Sequence, residues 1–167
     1  MYYETSVTID ATADDVWAVL RDVERWPDWT PTVTNARILD GELRVGGVVR
    51  LQQPKLPTAE WTVHELTPGR GFSWIAKAKG MTSVAEHWIA PAAECDPGAA
   101  SGAAGDSSAA GEGGARDAVT VMLSLRQSGP LAPLVAVFMA RLVRRYVDTE
   151  ARGLRERCER AASEPAI

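Results

Sequence analysis

The stretch L-A-P-L-V-A-V-F-M-A-R-L-V-R-R-Y-V-D-T-E-A-R-G-L-R-E-R-C-E-R-A, from Leu131 to Ala161, decides the fold. At 100° per residue, Leu131, Val135, Phe138, Met139, Leu142, Val143, Tyr146, Val147, Leu154 and Cys158 share one half of a helical wheel. Arg141, Arg144, Arg145, Asp148, Arg152, Arg155 and Glu159 take the other half. The spacing predicts a helix of about 30 residues, roughly 45 Å long. A helix that long with one apolar side must lie across something broad. The only broad object the rest of the chain can make is a sheet.

The preceding sequence supplies it. From Val33 to Leu125 the texture is strand, punctuated at hairpin spacing by Gly41, Gly46-Gly47, Pro54, Pro57, Pro68-Gly69, Gly71 and Gly80. Strands are expected at about 33–40, 47–53, 59–66, 72–79, 82–90 and 118–127. Tyr2 to Ile9 alternates and adds a first strand, making seven in one mostly antiparallel sheet. After it, Thr12 can cap a helix with Asp14 and Asp15 in its first turn, and Ala13, Val16, Trp17 and Leu20 form its apolar stripe. Asp22 is expected to cap a second short turn that Pro27 ends. The fold class is therefore α+β: strand, two short helices, six strands and one long helix. The domain is expected to span 1–162, with a tail at 163–167. Residues 93–116 are rich in Ala, Gly and Ser and nearly free of large apolar side chains, so they are expected to form a flexible loop.

One long helix covers only one face of the sheet, so the strand patterns say which face is inner. Val119, Val121, Leu123 and Leu125 oppose Thr120, Ser124 and Arg126; Phe72, Trp74, Ala76 and Ala78 oppose Ser73, Lys77 and Lys79. A two-residue Gly80-Met81 turn of type II′ would pair Lys79 with Thr82, Ala76 with Ala85, Trp74 with His87 and Phe72 with Ile89. His87 then points inward; a turn one residue longer would turn Trp88 inward instead. The small inner residues Ala76, Ala78, Ser83 and Ala85 could leave a gap for a ligand, or Trp, Phe and Leu could fill it.

The totals narrow the function. The chain has 167 residues, a net charge of −4 and a pI near 5.2, a balance that argues against a general nucleic-acid or anionic-membrane binder. Cys95 and Cys158 match no metal or redox spacing and read as free thiols in a reducing compartment. M-Y-Y-E-T-S is no signal peptide, so a soluble, cytoplasmic protein is expected. There is no P-loop, dinucleotide fingerprint, zinc-protease motif or nucleophile elbow, and two histidines with two unmatched cysteines make no metal cluster. No metal or cofactor is expected.

Several blocks together are familiar: I-D-A-T-A-D-D-V-W-A-V-L-R-D-V-E-R-W-P-D-W, L-R-V-G-G-V-V-R-L, E-W-T-V-H-E-L-T-P-G-R-G-F-S-W, A-E-H-W, and L-S-L-R-Q-S-G-P-L with the closing helix. In these the chain resembles the polyketide cyclase/dehydrase and lipid-transport group of the START and Bet v 1-like superfamily, the helix-grip proteins. The resemblance implies a curved seven-stranded antiparallel sheet wrapped on the C-terminal helix, with two short helices after the first strand. It implies a deep apolar cavity between sheet and helix that binds a lipid, polyketide, isoprenoid or similar molecule. The cavity wall is then expected to include Trp29, Val49, Leu51, Trp61, Val63, Phe72, Trp74, Ala76, Ala85, Val121, Leu123, Phe138 and Leu142. V-E-R-W-P-D-W-T-P, with Trp26 and Trp29, is expected to plug the base, Trp29 being the nearer to a ligand.

Two functions fit: a carrier or sensor of an apolar ligand, or a cyclase or aromatase that moves protons on an enolisable chain. The expected acid–base residues are His87, Glu150 and Tyr146. Glu150 sits within the apolar half of the last helix and could meet His87 or Arg50 inside, or reach solvent. His64 alternates with Val63, so one of the two faces out. The expected partner is the apolar small molecule, with no nucleic acid and no stable membrane insertion, on a monomer or dimer.

Overall fold

The computed structural model describes residues 1–78, 80–91 and 118–163. In chain order these form β1 (Tyr2–Ile9), α1 (Ala13–Arg21), a 3-10 helix (Val23–Asp28), β2 (Asn35–Ile38), β3 (Val48–Gln52), β4 (Ala59–Thr67), β5 (Gly71–Ala78), β6 (Met81–Pro91), β7 (Val119–Ser128) and α2 (Ala132–Ser163). All seven strands join one antiparallel sheet in the order β1-β7-β6-β5-β4-β3-β2. The first strand of the chain therefore lies beside the last, paired over its full length from Tyr2↔Arg126 to Ile9↔Val119. α2 packs against β1, β7 and α1, completing the helix-grip arrangement.

The local signals act as expected at α1. The Thr12 hydroxyl accepts from the Asp15 N–H at 3.2 Å, and Val16 and Leu20 are fully buried. The next turn differs from expectation. Asp22 makes no side-chain cap, and Pro27 lies inside the 3-10 helix instead of ending it. So short a segment needs few internal N–H groups, and the N–H groups of Trp29 and Thr30 close it on the Trp26 carbonyl at 3.2 and 3.0 Å.

The β5–β6 hairpin also differs. Ala78 pairs with Met81, so Trp74 faces Ala85 and Phe72 faces His87. The connection is residues 79–80, with Gly80 second and at φ +72°, a region glycine enters without strain. Relative to a Gly80-Met81 turn the register slips by two residues. An even slip keeps every side chain on its face, so His87 still points inward. A β-bulge between Val63 and Glu65 leaves His64 exposed and returns Leu66 to the inner face.

The inner face carries the core. Ile9, Val49, Val63, Phe72, Trp74, Val121 and Leu123 from the sheet are buried with Trp26, Leu154 and Cys158. Leu131, expected on the buried side of the last helix, precedes α2 and is 46% exposed, because the chain turns through Gly129 before the helix begins. The side chains of Val135 and Phe138, the segment 93–116 and residues 164–167 of the tail lie outside the described residues.

Candidate functional site

The sheet curls away from α2 over β3 to β6 and leaves a recess. Leu51, Trp61, Trp74, Ala85, Leu123 and Leu125 line it from the sheet, and Val143, Tyr146, Val147 and Glu150 from α2. Gln53 and Leu56, from the β3–β4 connection, and Trp26 complete it. The closed part holds about 70 Å³, while the depression with its open mouth is about 560 Å³. For scale, a void of roughly 150 Å³ is enough for benzene. The aromatic side chains therefore occupy most of the space that the small inner residues would have left.

They do so as one stack. Trp26 lies 5.6 Å from Trp29, 5.4 Å from Trp74 and 5.2 Å from His87, centroid to centroid. The Trp26 indole N–H donates to the Leu20 carbonyl at 3.1 Å, satisfying one of the open carbonyls at the C-terminal end of α1. Trp26 is thus both the plug of the sheet and the cap of the first helix.

His87 reaches the recess through the paired strands: Phe72 on one side and Leu123 on the other fix its place on β6. It is 4% exposed and stacks on Phe72 at 4.8 Å and 22°, with Trp74 edge-on at 5.5 Å. Its Nε2 lies 2.9 Å from Glu150 Oε1. Glu150 is one turn from both Tyr146 and Leu154, on the face of α2 that meets the sheet. It turns to His87; Arg50 pairs with Glu60 on the outer face at 2.8 Å. In the tautomer that carries its proton on Nε2, the imidazole donates to the part-buried Glu150 carboxylate and keeps a lone pair on Nδ1, the arrangement a general base needs. A proton can also pass between the two groups over a single hydrogen bond.

Tyr146 lines the recess, but its hydroxyl donates to the Pro54 carbonyl and ties α2 to the β3–β4 connection. That connection holds Lys55 at φ +63°, a conformation rare for residues other than glycine. Of the expected wall, Leu51, Trp61, Trp74, Ala85 and Leu123 line the recess. Val49, Val63, Phe72 and Val121 are buried behind it, and Ala76 and Leu142 are half-buried beside it. Trp29 faces a separate cleft between α1 and α2, where its carbonyl lies 2.5 Å from where a Cβ on Gly153 would sit.

Gln53, Leu56, Leu125, Val143 and Val147 line the recess without having been expected there, and Trp26, expected as part of the plug at the base, lies in its wall. Val143 and Val147 were on the apolar half of the helix and could have been found. Gln53 and Leu56 sit in a proline-bounded connection with no period to read.

Among the described residues no three His, Cys, Asp or Glu side chains gather as metal ligands, and no helix is long and apolar enough to cross a membrane. No curated protein matches the sequence. Solved structures share the fold. The Zhui aromatase/cyclase from Streptomyces sp. R1128 superimposes with a TM-score of 0.71 at 19% identity, covering 97% of this chain and 95% of that one. A START superfamily protein from Mycobacterium smegmatis gives 0.63 at 16%, covering 96% and 98%. The di-domain ARO/CYC StfQ of the steffimycin biosynthetic pathway gives 0.68 at 12%, with 98% of this chain covering 52% of that one. Residues 3–159 match a family profile across nearly the whole described fold, from β1 to the last turns of α2. The gripped helix, the apolar recess and that match agree: the chain belongs to the polyketide cyclase / dehydrase and lipid transport family.

Proposed function

We propose that the protein binds an apolar small molecule in the recess between α2 and the inner face of the sheet, as a carrier or sensor. The observation that carries this reading is the recess itself: a depression walled by Leu51, Trp61, Trp74, Leu123, Val143 and Val147 and bordered by Gln53 and Leu56 of the β3–β4 connection. Its closed part is smaller than such a ligand, so binding requires the mouth to open, and the Tyr146–Pro54 hydrogen bond is the contact that must give. Native mass spectrometry of the purified protein, with solvent extraction of whatever accompanies it, tests the reading. A co-purifying apolar molecule supports it. Failure to retain any member of a panel of lipids, polyphenols and isoprenoids would refute it.

A second reading has its own support in the buried His87–Glu150 pair. A carrier has no need for a proton-transfer couple inside its pocket, whereas closing a ring on a poly-ketone chain needs one group to take a proton from carbon and give it to oxygen. Here the protein is an aromatase/cyclase-type enzyme, with His87 exchanging protons and Glu150 orienting it. The two readings part on His87→Ala. A carrier keeps its affinity; a cyclase keeps binding and loses product.

A further inference from the structure

The walls of the recess contain polar atoms that the protein leaves without a partner. Among the described residues, five buried side-chain nitrogen or oxygen atoms have none, and three belong to residues that line the recess: Trp61 Nε1, Trp74 Nε1 and His87 Nδ1. All three side chains are more than nine-tenths buried, with Trp61 8%, Trp74 2% and His87 4% exposed. Native proteins leave few such groups unsatisfied, so three in one wall require a reason. Burial alone does not supply it, because Trp26 in the same stack is buried as deeply and donates to Leu20.

The two indoles belong together. Trp61 on β4 and Trp74 on β5 are diagonal neighbours on the inner face, with ring centroids 5.5 Å apart. An indole nitrogen can only donate. The charge at the recess is one-sided: Glu150 lines it, and among the described residues no lysine or arginine does; Glu86, next to the inward His87, turns its carboxylate to Ser124 on the outer face. An anionic ligand would meet the Glu150 carboxylate and no fixed cation among the described residues. A pure hydrocarbon would leave both indole N–H groups unmatched.

We propose that Trp61 and Trp74 determine specificity, by donating to oxygen atoms of an uncharged ligand that carries carbonyl or similar acceptor groups on an apolar frame. The proposal rests on the binding reading above and narrows it, setting fatty acids and plain hydrocarbons apart from the ligand. In the closed arrangement neighbouring side chains cover both nitrogens. A ligand larger than the closed recess has to part that stack, and the donors are what it then meets.

The test uses three probes of similar shape: acetophenone, isopropylbenzene and benzoate. Each is titrated into the ¹⁵N-labelled protein while the indole N–H resonances are followed, with Trp61→Phe and Trp74→Phe assigning the two peaks and keeping an aromatic ring in place. Acetophenone is expected to bind about tenfold more tightly than isopropylbenzene, the effect of one or two added hydrogen bonds, and benzoate more weakly than either. Acetophenone should move the Trp61 and Trp74 indole peaks downfield and leave that of Trp26 nearly still. Each Phe variant should bring the ketone-to-hydrocarbon ratio down towards one. Equal affinity for ketone and hydrocarbon, tighter binding of benzoate, or an unchanged ratio in both variants would overturn the proposal while leaving apolar binding intact. Binding of none of the three would overturn the binding reading with it.

Discussion

Trp26→Ala is the sharpest test of how this fold is held. The side chain is 1% exposed and meets Trp29, Phe72, Trp74 and His87 with ring centroids 5.2 to 6.4 Å away. Truncating a buried tryptophan costs roughly 3–5 kcal/mol in transfer and cavity terms. Each aromatic contact adds on the order of 0.5–1.5 kcal/mol beyond its area, and the Leu20 carbonyl loses its donor. The expected loss is therefore at the top of that range, about 5 kcal/mol. Total stability of a domain is about 5–15 kcal/mol, so the variant should be marginal. At roughly 2–4 °C per kcal/mol for a chain of this size, Tm should fall by on the order of 10–20 °C. Urea unfolding followed by far-UV circular dichroism measures it, with the midpoint moving and the slope unchanged. Trp26→Phe separates packing from capping. It keeps an aromatic ring and leaves the end of α1 uncapped, so it should cost about 1–3 kcal/mol. An unchanged midpoint for Trp26→Ala, or Trp26→Phe as damaging as alanine, would refute the assignment of Trp26 as plug and cap.

Glu150→Ala leaves the buried His87 Nε2 without its partner and should destabilise by roughly 1–3 kcal/mol, whereas Glu150→Gln, which can still hydrogen-bond Nε2, should lose less; paired denaturation curves decide it. Gly153→Ala places a methyl group 2.5 Å from the Trp29 carbonyl and should cost about 1–3 kcal/mol through a forced shift of the 3-10 segment, seen as a lower urea midpoint. Burial pushes the Cys158 thiol up to about 12 from its ordinary value of 9.0. The unfolded chain then releases the proton first as pH rises. Stability is fully present below pH 9 and falls by on the order of 1 kcal/mol per pH unit between 9 and 12. Cys158→Ala should flatten that slope in urea midpoints measured across the window. Tyr146→Phe removes the bond to Pro54 and should speed amide hydrogen exchange at Gln53, Lys55 and Leu56 without a large change in midpoint.

The fold was legible because its signals were of long range or of strict parity. The α2 wheel named the layer, and the alternation in β7 named the face. The β5–β6 register was misplaced by two, yet His87 stayed inward, since a strand's two faces depend only on whether a slip is odd or even. Positions governed by local chain geometry were less readable. Proline ends α-helices, which predicts a stop at Pro27, but a 3-10 turn has room for it. Leu131 was placed on the helix because it fits the period, though Gly129 delays the start. The contents of the recess depend on volumes across four strands. Ala76 and Ala85 suggested space, and the sequence did not show that Trp26, from outside the sheet, would take it. Glu150 could be placed on the apolar half of α2, while its choice of His87 over Arg50 follows from which face of β3 and β6 each occupies.

The pairing of β1 with β7 also has a consequence in time. The amino-terminal Met1 bonds Gln127 at both its nitrogen, 2.9 Å from the Gln127 carbonyl, and its own carbonyl. Among the described residues β1 has no other strand neighbour, so it cannot enter the sheet until the chain has been made through Ser128. During synthesis the meander from β2 to β6 can assemble locally while β1 waits. Glu150, on α2, is made later still. The recess should thus be the last part of the molecule to exist. A ligand present as the chain emerges would find nothing to bind until closure is complete, and a ligand bound afterwards would slow the reopening of that late-formed edge.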